Sequence, residues 1–140
     1  MSGKGFEILE HPADIGFRAF GQTREELFEN AAAALFYLTC GMSAVEERES
    51  REIAATGKDE ETLLYGWLAE LLAVAETEHL VFRRVDVTAL GAESVRGTAY
   101  GEAYDAARHE MGTNIKAITF HQMKVEETAE GWSARVFVDV

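Results

Sequence analysis

The stretch DEETLLYGWLAELLAVAET, residues 59–77, decides the core around which the rest of the chain folds. Its apolar residues recur every three or four positions, which is the period of an α-helix. Asp59 can cap such a helix, because its carboxylate accepts hydrogen bonds from the free N–H groups of a first turn. We predict a helix to about Thr77 with a stripe broad enough to face a core, formed by Leu63, Leu64, Trp67, Leu68, Leu71, Leu72 and Ala75.

A second helix is predicted upstream, over residues 24–40. Thr23 and Glu26 have the spacing of a capping box, in which two side chains satisfy backbone N–H groups at the start of a helix. Cys40, near its end, is interpreted as a small buried residue rather than a nucleophile. The apolar residues that repeat at the helical period before Gly41 are Leu27, Ala31, Leu35 and Leu38.

The remaining sequence predicts β-structure. Alternation of apolar and polar residues indicates a strand pair around a turn at residues 11–14, and a short strand near residues 51–55. The other predicted strands cover residues 80–90, 95–104, 115–127 and 132–140, with a turn at 91–94. The order of elements predicts an α+β fold, a single two-layer domain over residues 1–140 with a mixed β-sheet and two main helices.

Charge and composition restrict the classes of partner. The chain has 140 residues and carries 13 Lys and Arg against 25 Asp and Glu, a net charge of −12. Strong direct binding of nucleic acid is not expected, because that affinity comes largely from cations that neutralise phosphates. No membrane span or secretory signal is predicted, and a single cysteine fits a reducing cytoplasm.

Two familiar catalytic patterns are not met. His109-Glu110-Met111-Gly112-Thr113 begins like the HExxH motif of zinc proteases, but Thr113 stands where the second histidine is needed. There is also no glycine-rich phosphate loop of the GxxxxGK[ST] type. The sequence therefore does not support a zinc protease or self-contained nucleotide chemistry.

Several spaced motifs resemble the archease family over nearly the whole chain. They are HPADIG at 11–16, LLYGWLAELL at 63–72, AYGE at 99–102, HEMGTNIKAITFH at 109–121 and VDV at 138–140. Phe120 stands where the family often has tyrosine, which weakens any role for an aromatic hydroxyl there.

The resemblance implies a non-enzymatic, cytoplasmic partner of an RtcB-type RNA ligase, which joins RNA ends in tRNA splicing and RNA repair. Such a partner promotes guanylylation of the ligase's active-site histidine and allows multiple turnover. A chaperone-like role toward an RNA methyltransferase has also been proposed within the family. The metal-binding residues implied by the resemblance are Asp14 and Asp139, with Val140 contributing a main-chain oxygen.

The residues themselves leave the metal site open. Asp14 follows a proline turn and Asp139 lies in the last predicted strand, so each carboxylate could be solvated separately. If folding brings them within ~4 Å, their repulsion is on the order of 4 kcal/mol at an effective dielectric of 20. A divalent cation with hard oxygen ligands would relieve that repulsion. We expect Ca²⁺, with Mg²⁺ or Mn²⁺ as compatible alternatives.

Five further residues are candidates for partner contact or site support: His11, His109, Thr113, Lys116 and His121. Lys116 can pair with Asp14 or Asp139, or contact the ligase. A small hydrolase that uses His109 or His121 as general base is a competing hypothesis, since histidine titrates near neutral pH. A packed structural role for His121 is equally compatible, because alternation places Ile118 and Phe120 together on the opposite face of its strand.

Overall fold

The computed structural model describes residues 5–11, 14–41 and 44–140, so Pro12 and Ala13 of the predicted first turn lie outside the described residues. The elements in chain order are β1 (Phe6–His11), β2 (Asp14–Gly21), α1 (Arg24–Cys40), β3 (Glu49–Thr56), α2 (Glu60–Glu78), β4 (Leu80–Leu90), β5 (Ser94–Ala103), β6 (Ala117–Thr128) and β7 (Gly131–Asp139). Both helices and the strands lie where the sequence predicted them, with ends displaced by at most two residues.

The strands form two sheets. Sheet A has the strand order β1-β2-β7-β6, and sheet B has the order β3-β5-β4. The α+β class with two main helices is confirmed. The expected mixed sheet is corrected in one respect, because every strand pair in the described residues is antiparallel.

The helical connection between β3 and β4 is compatible with this antiparallel pairing. Both strands are antiparallel to β5, so they run in the same direction, as strands joined by a crossover helix normally do. They do not pair, because β5 lies between them. The crossover helix therefore leaves β3 and β4 running in the same direction, but no hydrogen bonds form between these two strands.

The two helices connect the sheets through one hydrophobic core. Helix α1 packs against β2 of sheet A and β4 of sheet B, while α2 packs against β6 and β3. Trp67 of α2 is fully buried against Phe28 of α1, and its indole N–H donates to the Phe28 carbonyl at 3.2 Å. Neither helix in the described part of the chain is long and apolar enough to span a bilayer.

Each helix begins with a capping side chain, as predicted. Thr23 accepts a hydrogen bond from the Glu26 N–H at 3.1 Å, but the Glu26 carboxylate accepts from the Gln22 N–H at 2.9 Å, one residue before the cap. The Glu26 carboxylate of this predicted capping box therefore binds the N–H of Gln22 instead of the N–H of Thr23. Asp59 forms a complete capping box with Thr62 at the start of α2.

A glutamate from each helix also binds a backbone N–H on an edge strand. Glu29 of α1 accepts from Val87 of β4, and Glu61 of α2 accepts from Val125 of β6, both at 2.9 Å. Burial is the main reason that the pKa of Glu29 is raised. These two bonds occupy backbone groups that would otherwise be free to pair with another strand.

Strand β6 is interrupted by a large bulge. Thr119 pairs with Phe137 and Lys124 pairs with Arg135, so the four residues 120–123 lie opposite Val136 alone. The predicted alternation of faces still holds from Ile118 to His121, at the start of the bulge. Ile118 is buried in the core, and the ring of Phe120, although 51% exposed, lies 5.9 Å from the ring of Tyr65 on α2. Both side chains therefore face the helices, while His121 contacts Phe137 on the other face, as predicted.

The β2–β7 pairing joins the beginning of the chain to its end. It runs from Ile15 opposite Val138 to Gly21 opposite Trp132. At Gly16 a Cβ atom would lie 2.2 Å from the Val136 carbonyl oxygen and 2.7 Å from the Phe137 ring. Glycine is needed there because no side chain fits between β2 and the ring.

Gly16→Ala should therefore destabilise the fold by about 1–3 kcal/mol through overpacking. The measurement is the free energy of unfolding in urea. Gly91→Ala is the matched control, because the nearest atom to a Cβ there lies at 3.5 Å, and it should change stability by less than about 0.5 kcal/mol. Equal effects of the two variants would contradict this account of the β2–β7 pairing.

Candidate functional site

The predicted metal residues lie together at one end of sheet A. Asp14 begins β2, Asp139 ends β7, and both side chains are exposed. Continuing the register one step beyond Ile15 and Val138 brings Asp14 opposite Asp139. Directly opposite residues in an antiparallel pair have Cα atoms about 4.5–5.5 Å apart, so the two carboxylates share one sheet end.

Lys116 and His11 belong to the same end of the sheet. The Lys116 N–H donates to the Asp139 carbonyl at 2.7 Å, which holds the residue before β6 against the last residue of β7. His11 is the register partner of Asp14 across the first hairpin, although its side chain lies outside the described part. Val140 follows Asp139 and is half exposed. We call Asp14, Lys116, Asp139 and Val140 the acidic end.

The donors at the acidic end fit a hard cation. Two carboxylates and a main-chain oxygen of Val140 are oxygen ligands of the kind that Ca²⁺ and Mg²⁺ prefer. Within the described ranges, no three His, Cys, Asp or Glu side chains come together as a metal-binding group. A cation held here would therefore take part of its coordination from main-chain oxygen and water.

His109 and Thr113 lie in a different part of the molecule, on the segment that leads from β5 to β6. His109 is buried, its Nε2 lies 3.0 Å from a Glu102 carboxylate oxygen, and its Nδ1 accepts the Asp105 N–H at 2.9 Å. Because Nδ1 accepts, the ring proton is on Nε2 and is donated to Glu102.

Glu102 is the centre of a hydrogen-bond network that the sequence did not predict. Its carboxylate also accepts bonds from the Arg108 guanidinium at 2.8 and 3.0 Å and from the Glu46 N–H at 2.7 Å. Arg108 first, then the Glu46 N–H and His109, hold the pKa of Glu102 well below its usual range. The AYGE motif contains Glu102, but nothing in the sequence indicated that it would be buried with His109.

The residues after His109 dock on the end of α1. The Gly112 N–H donates to the Thr39 carbonyl at 2.9 Å, and the Thr113 N–H donates to the Leu38 carbonyl at 2.8 Å. These bonds occupy carbonyls that the last turn of a helix leaves without partners. Thr113 thus contributes through its backbone, and the segment 104–116 is fixed at both Glu102 and α1.

His121 lies in the β6 bulge, near the acidic end. Its ring centroid is 6.2 Å from that of Phe137, which is two residues before Asp139 and shares its face of β7. His121 is exposed, in contrast to His109. The structure therefore places one candidate histidine beside the acidic end and the other inside a structural network.

This arrangement does not support His109 as a general base. A base needs an accessible nitrogen within hydrogen-bond reach of a substrate proton. His109 is 3% exposed, and both ring nitrogens already have partners within the protein. Of the two candidate histidines, the hydrolase hypothesis retains only His121, which is exposed.

Comparisons with known proteins agree with these motifs. The model of the archease protein family matches residues 6–140. This chain belongs to the archease family. Protein archease from Methanosarcina acetivorans is 42% identical, and the alignment covers 99% of this chain and 97% of that protein. Protein archease from Pyrococcus abyssi is also 42% identical, with coverage of 98% and 99%.

A solved archease-like structure has the same fold. The solution structure of protein 1598 from Methanobacterium thermoautotrophicum superimposes with a TM-score of 0.82 at 39% sequence identity. The match covers 98% of this chain and 99% of the other. Membership in the archease family supports an accessory protein that acts with a partner protein.

The Glu102 network predicts a specific dependence of stability on pH. A carboxyl whose folded pKa is depressed stabilises the fold above its unfolded pKa, near 4.5, and loses that contribution progressively as pH falls below it. Glu102→Gln should lower Tm at pH 7 by several degrees and flatten the decline of Tm between pH 5 and pH 3. Thermal melts over this pH range provide the measurement. Glu93→Gln, an exposed turn variant, should retain the wild-type slope, and the same slope in Glu102→Gln would refute the prediction.

Proposed function

We propose that this protein activates an RtcB-type RNA ligase, promoting guanylylation of the ligase's active-site histidine and allowing multiple turnover. The observation that carries the proposal is the β2–β7 register, which ends with Ile15 opposite Val138 and so leads directly to Asp14 and Asp139 at an exposed sheet end. An accessory protein needs an accessible feature to present to its partner. The acidic end is such a feature, and it combines a residue of β2 with the last residue of β7.

The proposal includes a divalent cation, with Ca²⁺ as the expected ion. Two carboxylates on facing strand ends repel each other unless a cation or a proton intervenes. The ion would be held by Asp14, Asp139 and a main-chain oxygen of Val140. When bound, it would neutralise the acidic end and connect the first hairpin to the last strand.

The charge of the chain supports a basic partner surface. A net charge of −12 disfavours direct binding to RNA and suits a basic ligase face near its RNA channel. The chemistry of guanylylation would remain with the ligase, because this sequence has no phosphate loop of its own. The role of this protein would be to organise the ligase for that step.

Asp14→Asn and Asp139→Asn should each reduce stimulation of ligase guanylylation at least tenfold. Each should also remove the rise in Tm that Ca²⁺ causes in the unmodified protein. That rise follows from mass action and corresponds to about 2.7 kcal/mol when free metal is a hundred times its dissociation constant. The measurements are ligase guanylylation with and without this protein, and thermal melts with and without Ca²⁺.

Glu10→Gln is the matched control, because Glu10 is an exposed carboxylate paired with Ile15 beside the same sheet end. It removes one negative charge on the opposite face and should change neither readout. If Asp14→Asn and Asp139→Asn behave like Glu10→Gln, the shared cation site does not exist. Aggregation of an RNA methyltransferase, measured in parallel, tests the chaperone-like alternative.

Lys116→Ala should clearly reduce ligase stimulation while it changes Tm only slightly. The backbone bond to Asp139 survives the substitution, so the fold keeps its contact while the exposed ammonium group is lost. Lys58→Ala removes an exposed lysine before α2 and should leave stimulation unchanged. Stimulation by Lys116→Ala equal to that by Lys58→Ala, at matched concentrations, would show that Lys116 is an ordinary surface lysine.

A further inference from the structure

The outward face of sheet A carries a row of cations in an otherwise acidic protein. Arg18 of β2 lies directly opposite Arg135 of β7, and Lys124 of β6 lies on the other side of Arg135. Neighbouring strands are ~4.8 Å apart, so the row spans roughly 10 Å. We call these three residues the cationic row.

Like charges directly opposite each other destabilise an antiparallel pair. The cationic row has only weak compensation within the protein. Glu7 lies 3.5 Å from Arg18 and Glu126 lies 3.7 Å from Lys124, and each pair is about half exposed. Exposed ion pairs of this kind contribute little to stability and can exchange partners readily.

Arg135 is the best-organised member of the row. Its Nε–H donates to the Gln122 carbonyl in the β6 bulge at 3.1 Å, and Gln122 adopts a left-handed backbone conformation with φ of 53°. Within the described part of the chain, Arg135 takes part in no ion pair, and its two Nη atoms make no hydrogen bond. The guanidinium is therefore oriented by one bond while its two outer nitrogens remain available.

A groove of about 1090 Å³ gives access to the row. Its lining includes Arg18, Lys124 and Arg135 together with Phe20 and Ser133, the next pair along the same face. Carboxylates also line the groove, namely Glu7, Glu26, Glu29, Glu126 and Glu130. These acids make strong binding of a long polyanion unfavourable, so the two guanidinium groups on facing strands favour one compact anion.

We propose that the cationic row binds a phosphate group, bridged between Arg18 and Arg135 with Lys124 beside it. Guanidinium groups match phosphate because parallel N–H donors can contact two oxygens of one anion. The phosphate can be free inorganic phosphate or a phosphodiester of an RNA strand. This site is separate from the acidic end and does not depend on the proposed function.

The test is an NMR titration of the ¹⁵N-labelled protein at low ionic strength and pH 7. Inorganic phosphate is added in one arm and a single-stranded RNA hexamer without terminal phosphates in the other. The arginine Nε–H signals of residues 18 and 135 are followed directly. Potassium chloride at matched ionic strength controls for screening, which weakens exposed electrostatic contacts without occupying a site.

The expected result is a saturable shift of both arginine signals with a millimolar dissociation constant for inorganic phosphate. The double variant Arg18→Gln/Arg135→Gln should weaken this binding at least fivefold, as followed in all variants by the backbone N–H signals of β2 and β7. Arg96→Gln, an exposed arginine of sheet B that forms no ion pair in the described residues, should bind like the unmodified protein. Unchanged backbone spectra of the variants away from β2 and β7 would verify that the fold is retained.

The RNA arm identifies the source of the phosphate. Saturable shifts of the same signals by the hexamer assign a phosphodiester ligand, whereas shifts by inorganic phosphate alone assign a free phosphate. The proposal is overturned if neither ligand gives a saturable shift, or if Arg96→Gln weakens binding as much as the double variant. It is also overturned if an oligoglutamate peptide shifts these signals and both phosphate ligands do not.

Discussion

The β2–β7 pairing is the interaction on which the rest of the structure depends. It places the second strand beside the last one and completes sheet A between two hairpins. Without it, β1 and β2 would be an isolated hairpin, which is marginally stable in water. The same register sets Arg18 opposite Arg135, and its continuation beyond Ile15 and Val138 brings Asp14 opposite Asp139. One set of backbone hydrogen bonds therefore fixes the core, the acidic end and the cationic row together.

The helices were the most predictable part of the fold, for a physical reason. Their caps and apolar stripes are local, so Asp59 and the leucines around Trp67 specify α2 without reference to distant residues. Strand partners can depend on distant residues, as in the β2–β7 pair, whose members lie more than a hundred positions apart. Alternation identified the strands, but it could not show that β5 lies between β3 and β4. It also could not show the β6 bulge, where the register shifts between Thr119 and Lys124.

The candidate site also has a part that the sequence identified and a part that depends on the folded structure. The resemblance named Asp14, Asp139 and Val140, and the strand register explains why two distant aspartates could act together; whether they bind a cation stays a prediction. His109 belonged to a recognisable motif, yet its surroundings depend on the burial of Glu102, which is a property of the folded chain. A charged residue inside a motif carries no local signal that it will lose contact with water. The Glu102 network was therefore beyond sequence reasoning.

The β2–β7 pairing also has a consequence for how the protein is made. Residues 15–21 pair with residues 132–138, so this ladder cannot form until nearly all of the described sequence has left the ribosome. Until then, β2 has a free edge and α1 lacks part of its cover. Contacts of such long sequence separation also slow folding, because the chain must close a large loop first. The newly synthesised chain thus passes through a period in which an apolar surface and an open strand edge are exposed to the other proteins of the cell.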